Sequence, residues 1–409
     1  MAVANGLAER DKTDLPEKVG GGDPAFTRMR IALFASGFTV FGLLYYVQSL
    51  LPLLANDFEI SPTSSSLALS STTGVMAFAL LFAGAFSDRF GRKQIMALSL
   101  LSSSILTAIM AFSPGWSTVL AIRFLMGISL SGVQSVTMAY LAEEVDKKAF
   151  AATLGLFIGG SAFGGMFGRM ISSVIADYAG WRVAVGCMGT AGLIASVYFL
   201  FALPASRHFV ARGKGLKALF SDMGSILRDT VQIRLLAVGF VLMSGFVTTY
   251  NFITFRLTSE PFDLSQTVVG MIFIVYLCGS VGAVAGGRLC AKFGHQRVLW
   301  SFQVCMIAGL LLTLPEHIAL VILGLAVMTF GMFAGHSAAS GWVSQRAEKS
   351  RALAASLYLF TYYQGGSIVG ASGGLVYQSG GWSYVVALTV GLGLLGLGLG
   401  LSLWLTVRN

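Results

Sequence analysis

The chain has 409 residues, of which 55% are hydrophobic and only 11% are charged. An average soluble domain has roughly 25% charged residues, and a mean hydropathy of +0.77 is too high for one buried core. The net charge of +9 does not indicate nucleic-acid binding, because the basic residues lie in short loops between apolar runs.

Twelve apolar runs follow one another, each close to the roughly 20 residues that a helix needs to cross a bilayer. They are 29–53, 67–87, 94–112, 118–141, 150–171, 181–203, 233–255, 268–290, 298–314, 318–342, 352–377 and 382–407. Residues 1–28 mix both charge signs with Gly and Pro and are predicted to be a disordered cytoplasmic tail. The sequence predicts an all-α integral membrane protein of twelve transmembrane helices, with six in 29–203, a cytoplasmic linker over 204–232, and six in 233–407.

The lysines and arginines indicate the orientation. With the N-terminus in the cytoplasm, most of the 27 basic residues fall in the tail, the linker and the inside loops, as the positive-inside rule requires. Arg169, Arg182 and Arg256 are predicted near the outer surface, and Arg123 alone lies well inside a run. We therefore expect a multi-pass protein of a bacterial inner membrane with both termini in the cytoplasm.

The two halves of the sequence repeat short patterns at nearly fixed offsets. Matches 203 residues apart join Gly84, Phe90 and Gly91 to Gly287, Phe293 and Gly294. Matches 201 residues apart join Gly164, Gly165, Gly180 and Trp181 to Gly365, Gly366, Gly381 and Trp382. Such internal repeats predict two parallel, pseudo-symmetric six-helix bundles around a central cavity.

The loop after the second run reads GAFSDRFGRK from Gly84 to Lys93. It strongly resembles the signature loop G-x-x-x-D-R-x-G-R-[KR] of the major facilitator superfamily. The resemblance implies a transporter fold and a gating latch that locks the outward-open state; a loop that only sets topology is the alternative. The latch residues would be Gly84, Asp88, Arg89, Gly91, Arg92 and Lys93. The second copy of the loop has Ala291 in place of the acid, which weakens a latch role there.

Arg123 begins the pattern R-x-x-x-G, which ends at Gly127 in the fourth run. This resembles a signature that the superfamily ties to proton coupling in its drug:proton antiporters. An arginine inside a span costs at least about 2.5 kcal/mol to insert, so it should face the protein interior or water. Arg123 is therefore a candidate for coupling or for holding an anionic substrate. Snorkelling to the outer end of the span is the structural alternative.

The fifth run carries closely spaced glycines: Gly155, Gly159, Gly160, Gly164, Gly165 and Gly168. The run resembles the glycine-rich antiporter motif of drug-efflux members, although the proline expected beside the paired glycines is absent. Small-xxx-small helix packing and a dedicated antiport element both stay open. Arg169 follows directly and is expected near the outer surface, either paired with Asp177 or in contact with an anion.

No Asp or Glu lies deep in any predicted span, so proton coupling needs other groups. Asp57, just past the first run, and Asp88 in the signature loop are acidic candidates beside Arg123. His336, in the tenth run, is the remaining one, because an imidazole can carry a proton near neutral pH. A hydrogen-bonded histidine at a helix contact is the alternative for His336.

Mid-span tyrosines and amides are candidate substrate contacts, because tyrosine offers an apolar face and one hydroxyl to an amphipathic solute. Packing is the alternative for each of them. The candidates are Tyr45, Tyr46, Gln48, Tyr250, Asn251, Tyr276, Tyr358, Tyr362, Tyr363 and Gln364.

The leading hypothesis is a secondary active exporter that moves a small amphipathic solute or drug by alternating access, in exchange for protons. An uptake carrier for a small anion or metabolite is the first alternative, and a non-transporting sensor or scaffold is the second. The sequence has no P-loop and no metal-ligand spacing, so an enzyme is not predicted. We expect no cofactor, with the proton gradient as energy source, and a monomer whose partners are the substrate and the bilayer, with no nucleic acid.

Overall fold

The structure is a computed structural model that describes residues 18, 24–206, 208, 216–347 and 350–408, without the side chains of 24–25, 84–86, 88–89, 216–220 and 407–408. Most of the predicted tail and part of the predicted linker lie outside these residues. The first helix begins at Pro24, earlier than the predicted boundary at residue 29, and proline suits the first turn of a helix because its missing N–H has no partner there. A short helix over Leu216–Ile226 interrupts the predicted linker.

The described ranges consist of helices joined by short turns and loops, without strands. The helices are α1 Pro24–Ser49, α2 Leu51–Asp57, α3 Pro62–Phe90, α4 Arg92–Met110, α5 Trp116–Glu144, α6 Lys147–Ala179, α7 Trp181–Ala202, α8 Leu216–Ile226, α9 Thr230–Leu257, α10 Gln266–Ile272, α11 Tyr276–Phe293, α12 His295–Leu312, α13 Ile318–Arg346 and α14 Arg351–Arg408. A single 3-10 turn, Phe273–Val275, joins α10 to α11.

Ten helical segments within the described ranges are long and apolar enough to cross a membrane. One of them combines α10 and α11, and another is α14, whose backbone leaves helical geometry at Gly380 and Gly381. The helix α12, which has 18 residues, is not among the ten. The protein is therefore a multi-pass, all-helical membrane protein, and the number of twelve crossings stays a prediction.

Four tight turns mark the internal repeat. Gly91 and Gly180 in the first half, and Gly294 and Gly381 in the second, are the described glycines with positive φ, between 62° and 94°. Only glycine adopts this backbone region without strain. The four positions are two of the pairs that the sequence matched at offsets of 203 and 201, so the repeat corresponds to repeated backbone geometry.

Glycines on α6 allow an unusually close approach to α1. A Cβ at Gly160 would overlap the carbonyl oxygen of Phe34, and a Cβ at Gly164 would overlap that of Phe38. The second half repeats this contact, because a Cβ at Gly365 on α14 would overlap the Phe240 carbonyl on α9. Gly160, Gly164 and Gly168 therefore pack α6 tightly against α1, as small-xxx-small spacing predicts. For Gly155 and Gly159 the packing prediction is wrong, because a Cβ at either position would meet nothing within 4 Å.

The two halves meet along α3 and α14, where hydrogen bonds recur about one helical turn apart. Ser66 Oγ donates to Ala371 O at 3.4 Å, Ser367 Oγ to Ser70 O at 2.5 Å, and Gln364 Nε2 to Gly74 O at 3.0 Å. Further bonds join Gln266 to Ser49 and the Thr267 N–H to Asp177. We call the face where α1 ends and α3 begins the closed face. Among the described residues, the hydrogen bonds between the halves run from this face to mid-helix.

We expect Gly160→Ala to lower the melting temperature of the purified protein. Its methyl group would meet the Phe34 backbone, and such overpacking typically costs about 1–3 kcal/mol. The neighbouring Gly159→Ala is the matched control, because its Cβ would meet nothing within 4 Å. Thermal unfolding in detergent measures both variants, and equal losses would contradict the packing explanation.

Candidate functional site

Arg169 lies on α6 at the centre of an aromatic cage. Its side chain is fully buried, with 1% exposure. The guanidinium carbon lies 4.3 Å from the ring centroid of Tyr45, 4.6 Å from that of Tyr276 and 5.2 Å from that of Phe273. Tyr45 belongs to the first half and the other two rings to the second. The arginine therefore sits between the halves, where the ring faces attract its charge.

The hydrogen bonds of Arg169 leave part of its guanidinium unused. Nε donates to Gln48 Oε1 at 2.8 Å, and Nη1 donates to the Gly165 carbonyl at 2.5 Å. Within the described part of the chain, Nη2 makes no hydrogen bond and no carboxylate lies within ion-pair distance. A buried charge without a counter-ion is expensive. One donor and the positive charge of Arg169 are therefore not compensated by a carboxylate among the described residues.

An amide bridge continues from Arg169 across the interface between the halves. Gln48 Nε2 donates to Asn251 Oδ1 at 2.7 Å, and Asn251 Nδ2 donates to the Gly370 carbonyl at 3.2 Å. Gln48 and Asn251 are 203 residues apart, which is also the offset of the repeated loops. One polar chain thus connects α6, α1, α9 and α14.

The aromatic cage extends into the second half. The Tyr250 hydroxyl lies 2.7 Å from Thr329 Oγ1, and its ring lies 4.9 Å from that of Tyr276. The Tyr276 hydroxyl is buried and has no hydrogen-bond partner among the described residues. Because a buried hydroxyl normally has a partner, Tyr276 is a candidate donor to a ligand held by Arg169.

A second group of predicted residues lies around His336, on α13 and α14. Its Nδ1 lies 3.1 Å from the Tyr358 hydroxyl, and its ring centroid lies 4.5 Å from that of Tyr362. The ring of Tyr363 is 5.4 Å from that of Tyr362, and Gln134 Nε2 donates to the Tyr363 hydroxyl at 3.4 Å. This group spans both halves, since Gln134 lies on α5.

Gln364 lies beside this group but donates to the Gly74 carbonyl. This bond belongs to the row of hydrogen bonds between α3 and α14, which we call the α3–α14 seam.

Arg123 is buried between α1, α3 and α5, with no exposed surface. Nε donates to Ala68 O at 2.6 Å, Nη1 to Leu43 O at 3.1 Å and Nη2 to Leu44 O at 2.8 Å. The snorkelling alternative is wrong, because backbone carbonyls inside the bundle satisfy the guanidinium. A role in coupling stays a prediction.

Tyr46, whose ring lies 5.7 Å from the Arg123 guanidinium, donates a hydrogen bond to Met110 Sδ and is not part of the Arg169 cage.

Asp57 lies at the closed face and is bound to neighbouring side chains. It accepts a hydrogen bond from Trp181 Nε1 at 2.9 Å and pairs with Arg182 at 3.4 Å, where both charged side chains are nearly half exposed. The structure therefore does not place Asp57 with His336 or Arg169. Its predicted part in coupling stays untested.

The signature loop is described only in part. Gly91 makes the tight turn, and Arg92 donates to Ser87 and forms an ion pair with Glu143 at 2.9 Å. Lys93 is the second residue of α4 and is half-buried. The side chains of Gly84, Asp88 and Arg89 lie outside the described residues, so the latch stays a prediction.

The expected position of Arg169 near the outer surface is wrong. Asp177 accepts a hydrogen bond from the Thr267 N–H at 3.1 Å, and Arg169 points into the protein interior. The available signal was helical spacing, because Arg169 follows Gly165 by four residues and so lies on the face of α6 that packs against α1. Sequence reasoning also missed Phe273, Gln134 and Thr329, which carry no pattern of their own.

Comparisons with known proteins agree on one family. The family model of the Major Facilitator Superfamily matches residues 33–371 and 242–409. The MFS-type transporter YybF of Bacillus subtilis is 39% identical over 94% of both chains. The inner membrane transport protein YnfM of Escherichia coli is 40% identical over 91% of this chain and 90% of its own. A bacterial homolog of the human lysosomal transporter Spinster, in an inward-facing and occupied conformation, has the same fold, with a TM-score of 0.78 at 14% identity over 94% and 97% of the chains.

We expect Arg123→Lys to lower the melting temperature although it keeps the charge. One ammonium group cannot reproduce the planar fork that reaches three carbonyls on two helices, and each lost charged hydrogen bond is worth about 1.5–3 kcal/mol. The control Arg182→Lys alters an exposed cation and should change stability by less than about 0.5 kcal/mol. Thermal unfolding compares the two; an unchanged Arg123→Lys variant would show that the carbonyl contacts are dispensable.

Proposed function

The chain belongs to the Major Facilitator Superfamily and is a transporter rather than an enzyme, and we propose that it is a secondary active carrier of a small organic anion. The supporting observation is Arg169, a buried cation without a carboxylate partner among the described residues, caged by aromatic rings from both halves. This favours the anion carrier, which was the first alternative from the sequence, over a carrier of cationic drugs.

The chemistry of the cage defines the proposed substrate. A carboxylate would accept a hydrogen bond from Arg169 Nη2 and another from the free Tyr276 hydroxyl. The rings of Tyr45, Tyr276 and Phe273 would contact its apolar or aromatic part. A cation placed about 4 Å from the guanidinium would instead be repelled by about 4 kcal/mol at the effective dielectric constant of protein sites.

The proposed mechanism is alternating access, in which the two halves rock about the central site. We place the closed face outside, so that the described conformation opens to the cytoplasm, where both termini would lie in the bacterial inner membrane. The two parts of α14 and the helix α12 would complete twelve crossings. A single chain holds both halves of the site, so a monomer suffices for this mechanism.

We propose that protons energise the transport and that His336 carries the proton. Among the described residues, no Asp or Glu lies with the central aromatic rings, and the imidazole is bonded to Tyr358 and stacked near Tyr362. Proton symport with an anion would drive uptake. Proton-driven export is the second candidate, favoured by the glycine-rich face of α6 that resembles the antiporter motif.

A thermal-shift panel on the purified protein tests the anion proposal. Benzoate, salicylate, pyruvate and succinate are each compared with their uncharged amides, and benzoate also with benzylammonium. We expect at least one carboxylate to raise the melting temperature while its amide and the ammonium compound do not. Arg169→Gln should weaken its binding by about 10- to 100-fold, the value of one charged hydrogen bond.

The control for this panel is Arg182→Gln, which removes an exposed cation outside the site and should bind as the parent does. The proposal is wrong if benzylammonium stabilises the protein as much as benzoate does. It is also wrong if Arg169→Gln binds the carboxylate as tightly as the parent does. Flux of the bound carboxylate into liposomes is then measured with an alkaline or an acidic lumen. Accumulation in alkaline liposomes indicates symport with protons, and accumulation in acidic liposomes indicates exchange for protons, as export requires.

A further inference from the structure

The amide bridge between Gln48 and Asn251 joins the two halves beside the substrate site. Both side chains are buried, with 1% and 0% exposure, and their bond is 2.7 Å long. The two residues stand at matching positions in the first helix of each half, so their bond lies near the pseudo-symmetry axis. Any rocking that separates α1 from α9 at the closed face must break it.

Arg169 strengthens this bridge through Gln48. Its Nε donates to the Gln48 carbonyl oxygen at 2.8 Å, while the amide nitrogen of the same side chain donates to Asn251. A hydrogen bond from an ionised donor is roughly twice as strong as a neutral one, and it polarises the amide, so the next bond in the chain is strengthened too. Within the described residues, no anion competes for the guanidinium.

We infer that binding of an anion at Arg169 releases the amide bridge and thereby opens the closed face. The anion draws the guanidinium away from Gln48, the amide loses its polarisation, and the bond to Asn251 weakens. The release step rests on the proposed function, because it requires an anionic substrate. The role of the bridge in holding the halves together does not depend on which substrate is carried.

The empty and the loaded carrier should therefore change conformation at different rates. The empty carrier keeps its bridge and changes conformation slowly, whereas the loaded carrier changes quickly. The transporter should therefore exchange substrate across the membrane faster than it returns empty.

A cysteine at position 66 reports the opening of the closed face. Ser66 is buried on α3 against Ala371 O and would become accessible when the halves part. Ser66→Cys is introduced after replacing the native cysteines, which are Cys187, Cys278, Cys290 and Cys305, and labelled with a membrane-impermeant maleimide. Labelling is measured without ligand and with the carboxylate that stabilises the protein most in the panel, using its amide as control.

Without ligand, Asn251→Ala should label about ten-fold faster than the parent, the factor expected from the one hydrogen bond that it loses between the halves. Its other bond, to Gly370 O, lies within the second half. Thr249→Val is the matched control on the same helix, because the Thr249 hydroxyl bonds only its own helix at Gly245 O, and it should label as the parent does. A parental rate for Asn251→Ala overturns the role of the bridge.

Arg169→Gln provides a second test that does not alter the bridge residues. It should also accelerate labelling without ligand, and adding Asn251→Ala to it should have a smaller effect than in the parent. Fully additive effects would show that Arg169 does not act on the bridge.

The ligand experiment separates the two proposals. If the carboxylate leaves the labelling rate of the parent unchanged, release by an anion is wrong. If no carboxylate of the panel binds but Asn251→Ala still labels faster, the proposed substrate class fails while the bridge stands.

Discussion

The centre of this protein depends on the buried positive charge of Arg169, which has no carboxylate partner among the described residues. Burying a charge is tolerated only where other groups compensate it. Here the compensation is distributed over one backbone carbonyl, one amide and the faces of Tyr45, Tyr276 and Phe273. These partners come from both halves, so the same side chain links ligand chemistry to the relative position of the halves.

The two kinds of helix contact suggest which parts move. Within each half, glycines bring helices so close that backbone meets backbone, as Gly164 does at Phe38 and Gly365 at Phe240. Such contacts resist sliding of one helix along the other, so the proposed rocking leaves each half intact.

Between the halves, α3 and α14 also approach closely at Gly374 and Thr63 and through the rings of Phe78 and Phe360. The other contacts there include the single hydrogen bonds of the α3–α14 seam, from Ser and Gln side chains to carbonyls. These can be exchanged for other partners, which suits a reversible interface.

The sequence predicted the features that repeat at regular intervals. The apolar runs, the repeated glycines at positions 91 and 294, and the closely spaced glycines of α6 are local patterns in the sequence. Those predictions needed no knowledge of neighbouring helices. The candidate substrate contacts likewise include Tyr45, Gln48, Asn251 and Tyr276, because polar groups inside apolar runs stand out in the sequence.

What the sequence did not predict depends on contacts between distant segments. Arg123 is satisfied by carbonyls of α1 and α3, and backbone acceptors have no signature in the sequence. Arg169 was expected at the surface because its depth depends on how α6 lies against α1. The α8 helix was missed because its polar surroundings indicate a linker.

A structure of the protein bound to a stabilising carboxylate tests the central claim most directly. The account predicts the carboxylate within about 2.7–2.9 Å of an Arg169 guanidinium nitrogen, with the Tyr276 hydroxyl as a second donor and the Gln48–Asn251 bond broken or lengthened. A carboxylate bound elsewhere, with Arg169 still held by Gln48 and Gly165 alone, would contradict it.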